Sequence, residues 1–141
     1  MQTPPPRIPV LNIIRLEFTG TKLNTNVEPP SVVLELSWVD RFFRLTEVRP
    51  KVQKYVLMSA QDSYTDFHID FSETSVWYHI FEVSERSINY LLLVPPTIYN
   101  LEKYKEWINS DEQYEKFLGA ERHCDKLELN QGETILAPSG W

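Results

Sequence analysis

The sequence predicts a mainly β, largely antiparallel domain with one helical insertion. Short runs rich in Val, Ile, Leu, Phe and Tyr recur along the chain between Pro, Gly, Asn and Ser, a pattern compatible with a jelly-roll barrel. Residues 100–117 change to helical spacing. With 141 residues, 42% of them hydrophobic, the chain has enough apolar surface to build the core of one domain.

The first half predicts two strands and a short helix. Residues 1–7 are expected to form a proline-rich leader. Residues 10–18 (VLNIIRLEF) and 52–59 (VQKYVLMS) are rich in β-branched and aromatic side chains and predict strands. Residues 31–43 mix Val, Leu and Trp without a clean period, and here we expect a short helix that ends near Trp38.

The second half predicts five more strands, at residues 67–71, 74–81, 88–94, 126–129 and 134–137. The third of these, INYLLLV, is almost continuously apolar, as expected of a strand covered on both faces. The last two are expected to pair with each other around the Gln131-Gly132 turn.

The helical insertion is predicted near residues 100–118. Its apolar positions recur at helical spacing: Leu101, Tyr104, Trp107 and Ile108. Ser110, with Gln113 three residues later, predicts the capping box of a second short helix. Gly119 is the expected residue at which that helix ends.

Charge and composition exclude several classes of function. The net charge of −6 argues against binding to nucleic-acid phosphates and leaves room for a basic partner. The lone Cys124 cannot form an internal disulfide, which fits a reducing compartment. No apolar run approaches the ~18 residues of a transmembrane helix. The opening MQTPPPRIP lacks the apolar core of a signal peptide.

A His-x-Asp tripeptide, His68-Ile69-Asp70, is the main candidate for chemistry. Alternate residues of a strand share a face, so the imidazole and the carboxylate are expected on the same side. One nitrogen and one oxygen ligand suit a divalent first-row metal, and a distant second His would complete a two-His-one-carboxylate site with open positions. The alternative is an ordinary strand that carries a His–Asp pair.

The setting of this tripeptide resembles a known family. The stretches YVLMSAQDSYTDFHIDF, TSVWYHIF, LVPPTIYNLEKYKEWI and LNQGETILAPSGW resemble the JmjC-domain histone lysine demethylases, in particular the subgroup that pairs this domain with a PHD finger. The likeness begins near residue 8, includes LNIIRLEFTGTKL, and runs to the last residue. Residues 8–141 are therefore interpreted as a partial JmjC domain.

The resemblance implies a double-stranded β-helix that holds Fe(II) and the co-substrate 2-oxoglutarate. It implies a nuclear enzyme of chromatin that hydroxylates a methyl group on lysine in histone tails, releasing it as formaldehyde. His68 and Asp70 match two iron ligands of the family. Thr65, Tyr78 and Asn12 match residues that bind the co-substrate. A hydroxyl can donate a hydrogen bond to a carboxylate without competing for the metal.

The sequence departs from the family pattern at three places. The third iron ligand is a His two residues beyond the Gly-Trp pair, and here Gly140-Trp141 are the last residues, so we expect an incomplete barrel of marginal stability. The family's lysine after the WYH motif is missing, and Arg86 is the one cation between residues 80 and 94. Ser72-Glu73 replace a glycine pair, which would cost roughly 1 kcal/mol per residue if the turn needs positive φ.

Neither of the other two histidines is a good substitute for the third iron ligand. His79 is adjacent to Tyr78, so strand alternation directs it to the opposite face. His123, next to Cys124, is expected in a polar loop, and two residues alone do not make a zinc site.

Three functions remain open at this level. The first is a 2-oxoglutarate-dependent demethylase of methylated histone tails. The second is a catalytically inactive JmjC-like scaffold that binds a chromatin partner, which the missing lysine and the altered turn favour. The third is a hydroxylase of another protein or small molecule. The sequence indicates no direct nucleic-acid site and does not specify which histone lysine would be the substrate.

Overall fold

The structure is a computed structural model that describes residues 12–43, 50, 53–84, 88–121 and 123–141. The chain divides into two compact units, Met1–Thr65 and Asp66–Trp141. None of the helices in these described ranges has the length and apolar character needed to cross a bilayer.

The N-terminal unit contains an antiparallel strand pair. Strand β1 (Asn12–Glu17) pairs with β2 (Tyr55–Ser59), and Asn12 lies opposite Ser59. The register shifts between Ile13 and Leu16, which marks a bulge. Both predicted strands are confirmed, although the first residues of each prediction lie outside the described ranges, as does the predicted leader.

The predicted helix after residue 31 is in fact two helices. They are α1 (Ser31–Leu36) and α2 (Trp38–Phe42), and they follow a 3-10 turn at Lys22–Asn26. Ser37 divides them because its backbone is extended, with ψ of 115°, and its hydroxyl accepts a hydrogen bond from the Asp40 N–H at 3.2 Å. A serine at this position caps the second helix and ends the first.

The C-terminal unit contains two nested antiparallel strand pairs. Strand β3 (Val76–His79) pairs with β6 (Thr134–Ala137), while β4 (Asn89–Leu93) pairs with β5 (Asp125–Leu129). The four strands thus form one long hairpin, with β3 and β4 on one arm and β5 and β6 on the other. The two pairs belong to separate sheets, so the hairpin is divided at a corner.

Ile80 forms this corner through two backbone hydrogen bonds. Its N–H donates to the Glu133 carbonyl at 2.9 Å, and its carbonyl accepts from the Gly132 N–H at 2.7 Å. Gly132 has φ of +85°, a backbone conformation that favours glycine. The predicted pairing of residues 126–129 with 134–137 is wrong, because β5 pairs with β4 and β6 pairs with β3. The turn between β5 and β6 therefore connects two separate sheets.

The helical insertion lies at the tip of the hairpin. Helix α3 (Ile98–Ile108) begins after Thr97, whose hydroxyl accepts from the Asn100 N–H at 3.1 Å. Trp107 is 7% exposed, and its indole N–H donates to the Lys116 carbonyl at 2.7 Å. This bond ties the end of α3 to the segment that follows it.

The predicted second helix of the insertion is displaced. Residues 109–115 form turns, and α4 covers only Leu118–Glu121, so that Gly119 lies inside it rather than at its end. The Ser110 hydroxyl accepts from the Glu112 N–H at 3.1 Å rather than from Gln113. Consecutive Asn, Ser and Asp side chains compete for backbone groups here and favour a turn over a helix.

The core of the described residues is small. Its buried apolar side chains are Phe18, Trp107, Leu118, Leu129 and Ala137. The expectation that the strand at 88–94 is covered on both faces is wrong, since Tyr90 of β4 is 47% exposed. The ring of Tyr90 is covered instead by the Lys126 ammonium, 3.5 Å from the ring centre. The marginal stability of the chain stays a prediction.

We expect Gly132→Ala to destabilise the chain by about 1–2 kcal/mol, because a side chain makes positive φ costly. Added Cβ atoms meet nothing within 4 Å at Gly132 or at Gly20, so steric overlap is not involved at either position. Gly20→Ala is the matched control and should leave the stability unchanged or slightly raised. Urea denaturation measures both, and equal effects would show that the corner does not depend on this backbone conformation.

Candidate functional site

His68 is held by a local hydrogen bond through one ring nitrogen. Its Nδ1 lies 2.9 Å from the backbone carbonyl oxygen of Asp66. A carbonyl can only accept, so in the neutral ring this bond places the proton on Nδ1 and leaves the lone pair on Nε2. The ring is exposed, so Nε2 is accessible as a ligand. Metal-binding histidines are commonly oriented by such a bond from the other ring nitrogen.

Asp70 presents the second candidate ligand. It is half-buried, its backbone is extended (φ −60°, ψ 148°), and it directly precedes a 3-10 turn at Phe71–Glu73. No residue in the described ranges forms a hydrogen bond or ion pair with its carboxylate, which leaves the oxygens available. A carboxylate oxygen with an imidazole nitrogen fits a divalent first-row metal such as iron.

The predicted strand at residues 67–71 is wrong. These residues do not form a strand, although Asp70 keeps an extended backbone. Asp66 diverts the local hydrogen bonds: its carboxylate accepts from the Phe67 N–H at 2.8 Å, and its carbonyl accepts from His68. Within the described residues, no group of three His, Cys, Asp or Glu side chains is placed to hold a metal.

In the N-terminal unit, the structure brings together two predicted co-substrate residues that are distant in sequence. The Asn12 side-chain N–H donates to the Thr65 hydroxyl oxygen at 3.3 Å. Thr65 therefore accepts one bond and keeps its own O–H to donate. The Asn12 Oδ1 atom is buried without a hydrogen-bond partner among the described residues.

Two of the remaining candidates, Tyr78 and His79, belong to strand β3 of the C-terminal unit. Tyr78 is half-buried on β3, opposite Ile135 of β6. Arg86 lies outside the described residues. His79 is exposed, and its Nδ1 lies 2.8 Å from the Thr134 hydroxyl on β6.

His123 and Cys124 carry no metal-site geometry in the described structure. His123 is exposed, with Nε2 3.3 Å from the Asp125 carboxylate. Burial, and then the charge of Asp125, raise the pKa of the Cys124 thiol, which disfavours the thiolate that a metal would need.

Comparison with known proteins gives strong matches over nearly the whole chain. The chain is 45% identical over 140 residues to histone lysine demethylase PHF8 of Danio rerio, with 97% of this chain covered. It is 47% identical over 140 residues to lysine-specific demethylase 7A of Homo sapiens, again with 97% covered. It is 44% identical over 145 residues to lysine-specific demethylase 2B of Mus musculus, with 92% covered.

The chain belongs to the JmjC family of histone lysine demethylases. It spans 13%, 14% and 11% of the lengths of these three relatives, respectively. No protein-family model matches the chain.

Of the two residues that replace the JmjC glycine pair in the turn after Asp70, Ser72 has positive φ and Glu73 does not. Ser72 has φ of 56° and ψ of 24°, in the left-handed region that a serine rarely occupies. Thr74 closes the turn, since its N–H and its hydroxyl both donate to the Phe71 carbonyl, at 3.3 and 3.1 Å. The expected strain at this substitution is therefore present at Ser72.

Asp66 is a residue that motif reasoning missed. The JmjC motif draws attention to His68 and Asp70, whereas Asp66 acts on the backbone before them. The available signal was the residue type, because an Asp readily bonds to backbone N–H groups close by in sequence.

We expect Ser72→Gly to stabilise the chain by about 0.5–1 kcal/mol. Glycine removes the steric cost of the left-handed backbone in the folded state, and the greater conformational entropy that it gives the unfolded chain offsets only part of this gain. Ser84→Gly is the control, since Ser84 is an exposed loop residue without positive φ. Chemical denaturation of both variants measures the difference. A loss of stability in Ser72→Gly equal to that in Ser84→Gly would contradict the assignment of strain.

Proposed function

We propose that the chain is part of an Fe(II)- and 2-oxoglutarate-dependent dioxygenase that demethylates methyl-lysine in histone tails. The main supporting observation is the state of His68, whose Nδ1 is bonded to a carbonyl and whose ring is exposed. Asp70, two residues later, has a carboxylate without a partner among the described residues. The relatives named as lysine demethylases support the same reaction. Such an enzyme would act on chromatin in the nucleus.

The strand pairing supports a double-stranded β-helix, with residues 8–141 forming part of a JmjC domain. A jelly roll is a long antiparallel hairpin folded so that its two halves contribute to different sheets. The nested pairs β3–β6 and β4–β5, divided at the Ile80 corner, have this connectivity. The insertion at the hairpin tip leaves this arrangement of strands unchanged.

The proposed roles follow from the chemistry of each side chain. His68 Nε2 and an Asp70 oxygen would hold Fe(II), which together with 2-oxoglutarate and dioxygen would supply the oxidising chemistry that removes the methyl group. Thr65 would donate its O–H to a co-substrate carboxylate while Asn12 holds the hydroxyl in place. Tyr78 is a further proposed co-substrate contact, and Arg86 a substitute for the missing family lysine.

The charge of the chain suits the proposed substrate. A net charge of −6 attracts a lysine-rich tail rather than nucleic acid. A methylated histone tail is therefore the proposed partner, without a nucleic-acid site of the chain's own.

A second candidate function is a JmjC scaffold that binds a chromatin partner without turnover. The absence of lysine between residues 80 and 94 and the strained Ser72 turn favour it. Both candidates predict a folded β domain, and co-substrate binding separates them.

Metal titration tests the enzyme directly. We expect Mn(II), an oxygen-stable substitute for Fe(II), to bind the natural protein that contains this chain, and to bind more tightly with 2-oxoglutarate present. Loss of a residue that hydrogen-bonds to a metal ligand typically weakens metal binding by roughly 10–100-fold. His68→Ala removes the ligand itself and should weaken Mn(II) binding by more than this. Isothermal calorimetry measures each affinity.

His79→Ala is the matched control for this titration, because His79 is an exposed histidine engaged with Thr134 on β3 and β6. It should leave Mn(II) affinity unchanged. A folded protein whose metal binding does not respond to 2-oxoglutarate would contradict the enzyme and leave the scaffold.

We expect Thr65→Val to raise the KM for 2-oxoglutarate by about 10–100-fold, since a hydrogen bond to a charged group contributes about 1.5–3 kcal/mol. Thr65→Ser keeps the hydroxyl and should change KM much less. Steady-state kinetics with varied co-substrate measures both variants. Equal KM values in the Val and Ser variants would exclude Thr65 as a co-substrate donor.

A further inference from the structure

We propose that Asp66 is a positioning residue that selects, through its own backbone carbonyl, which nitrogen of the neutral His68 ring carries the proton. The proposal rests on the proposed function only in taking His68 as a metal ligand. It assigns a role to a residue that is neither ligand nor co-substrate contact. Asp66 acts through His68 and touches no reacting group.

The peptide group between Asp66 and Phe67 carries both interactions. The carbonyl of this group accepts from His68 Nδ1 at 2.9 Å, and the N–H of the same group donates to the Asp66 carboxylate at 2.8 Å. A peptide group is planar, so its C=O and N–H turn together. The carboxylate that holds the N–H therefore also fixes the direction of the C=O.

The Phe67 ring restrains the same segment through a second contact. It contacts the Phe117 ring, with 5.4 Å between the ring centres and a tilt of 47°. Together, the Asp66 carboxylate and the Phe67–Phe117 contact hold the residues before His68 in place without a strand ladder. This restraint is needed because residues 67–70 form no strand.

The consequence concerns which nitrogen of His68 carries the proton. The bond partner of one ring nitrogen decides which nitrogen is available to a metal. With the Asp66 carbonyl fixed on Nδ1, the neutral ring is held with Nε2 unprotonated and ready to bind. Without the carboxylate, the peptide group can rotate, and the ring would mix its two neutral forms.

Nitrogen NMR of the natural protein with labelled histidine and no metal tests this inference. His68 in the wild type should show a protonated Nδ1 and an unprotonated Nε2 in its neutral form. Asp66→Ala should give a mixture of the two forms. Asp66→Asn keeps an oxygen acceptor for the Phe67 N–H and should restore the wild-type spectrum.

His79 serves as an internal reference in the same spectra. Its Nδ1 contacts the Thr134 hydroxyl, so its hydrogen bond does not involve Asp66. Its signals should be identical in all three proteins, and His68→Ala and His79→Ala spectra assign the two rings. A His68 spectrum that is unchanged in Asp66→Ala would overturn the proposal.

Mn(II) titration adds a second readout. We expect Asp66→Ala to weaken Mn(II) binding by ~10-fold, which is the smallest effect typical of losing the hydrogen-bond partner of a metal-bound histidine. Asp66→Asn should bind Mn(II) with an affinity close to that of the wild type. Equal weakening in both variants would contradict a role through the Phe67 N–H. If the wild type binds no Mn(II), the proposed function fails, and the NMR result alone decides the role of Asp66.

Discussion

The two backbone hydrogen bonds of Ile80 fix the point at which the C-terminal hairpin passes from one sheet to the other. They extend the β3–β6 pair by one step, to Glu133 and Gly132. Beyond this step the arms continue as β4 and β5 in a different sheet. The positive φ of Gly132 lets the second arm turn without a steric cost. The placement of every strand in this unit depends on this corner.

The candidate metal ligands are organised by a different means. His68 and Asp70 follow an irregular segment, so no sheet ladder fixes their side chains. A single peptide group, held by the Asp66 carboxylate, orients the His68 ring instead. Metal sites need the histidine proton on the nitrogen that faces away from the metal, and a local backbone acceptor satisfies that need. The left-handed Ser72 then redirects the chain into β3.

The sequence predicted which segments form strands much better than it predicted their partners. Alternation and β-branched residues identified β1 to β6, because these patterns are local. Pairing depends on contacts far apart along the chain, so the adjacent segments that became β5 and β6 were wrongly paired with each other. The segment at 67–71 failed for a local reason, since an Asp side chain took backbone groups that a strand would need. The Asn12–Thr65 bond joins residues 53 apart, and only the family resemblance placed them together beforehand.

The most direct test is turnover. Methylated histone-tail peptides would be incubated with the natural protein, Fe(II) and 2-oxoglutarate, and their masses followed. A dioxygenase built on His68 and Asp70 predicts stepwise loss of methyl groups that consumes dioxygen and 2-oxoglutarate and releases formaldehyde, succinate and carbon dioxide. This loss should be abolished in Asp70→Ala and retained in Glu82→Ala, a change at an exposed loop carboxylate. Peptides that bind but keep every methyl group would contradict the enzyme and identify the protein as a scaffold.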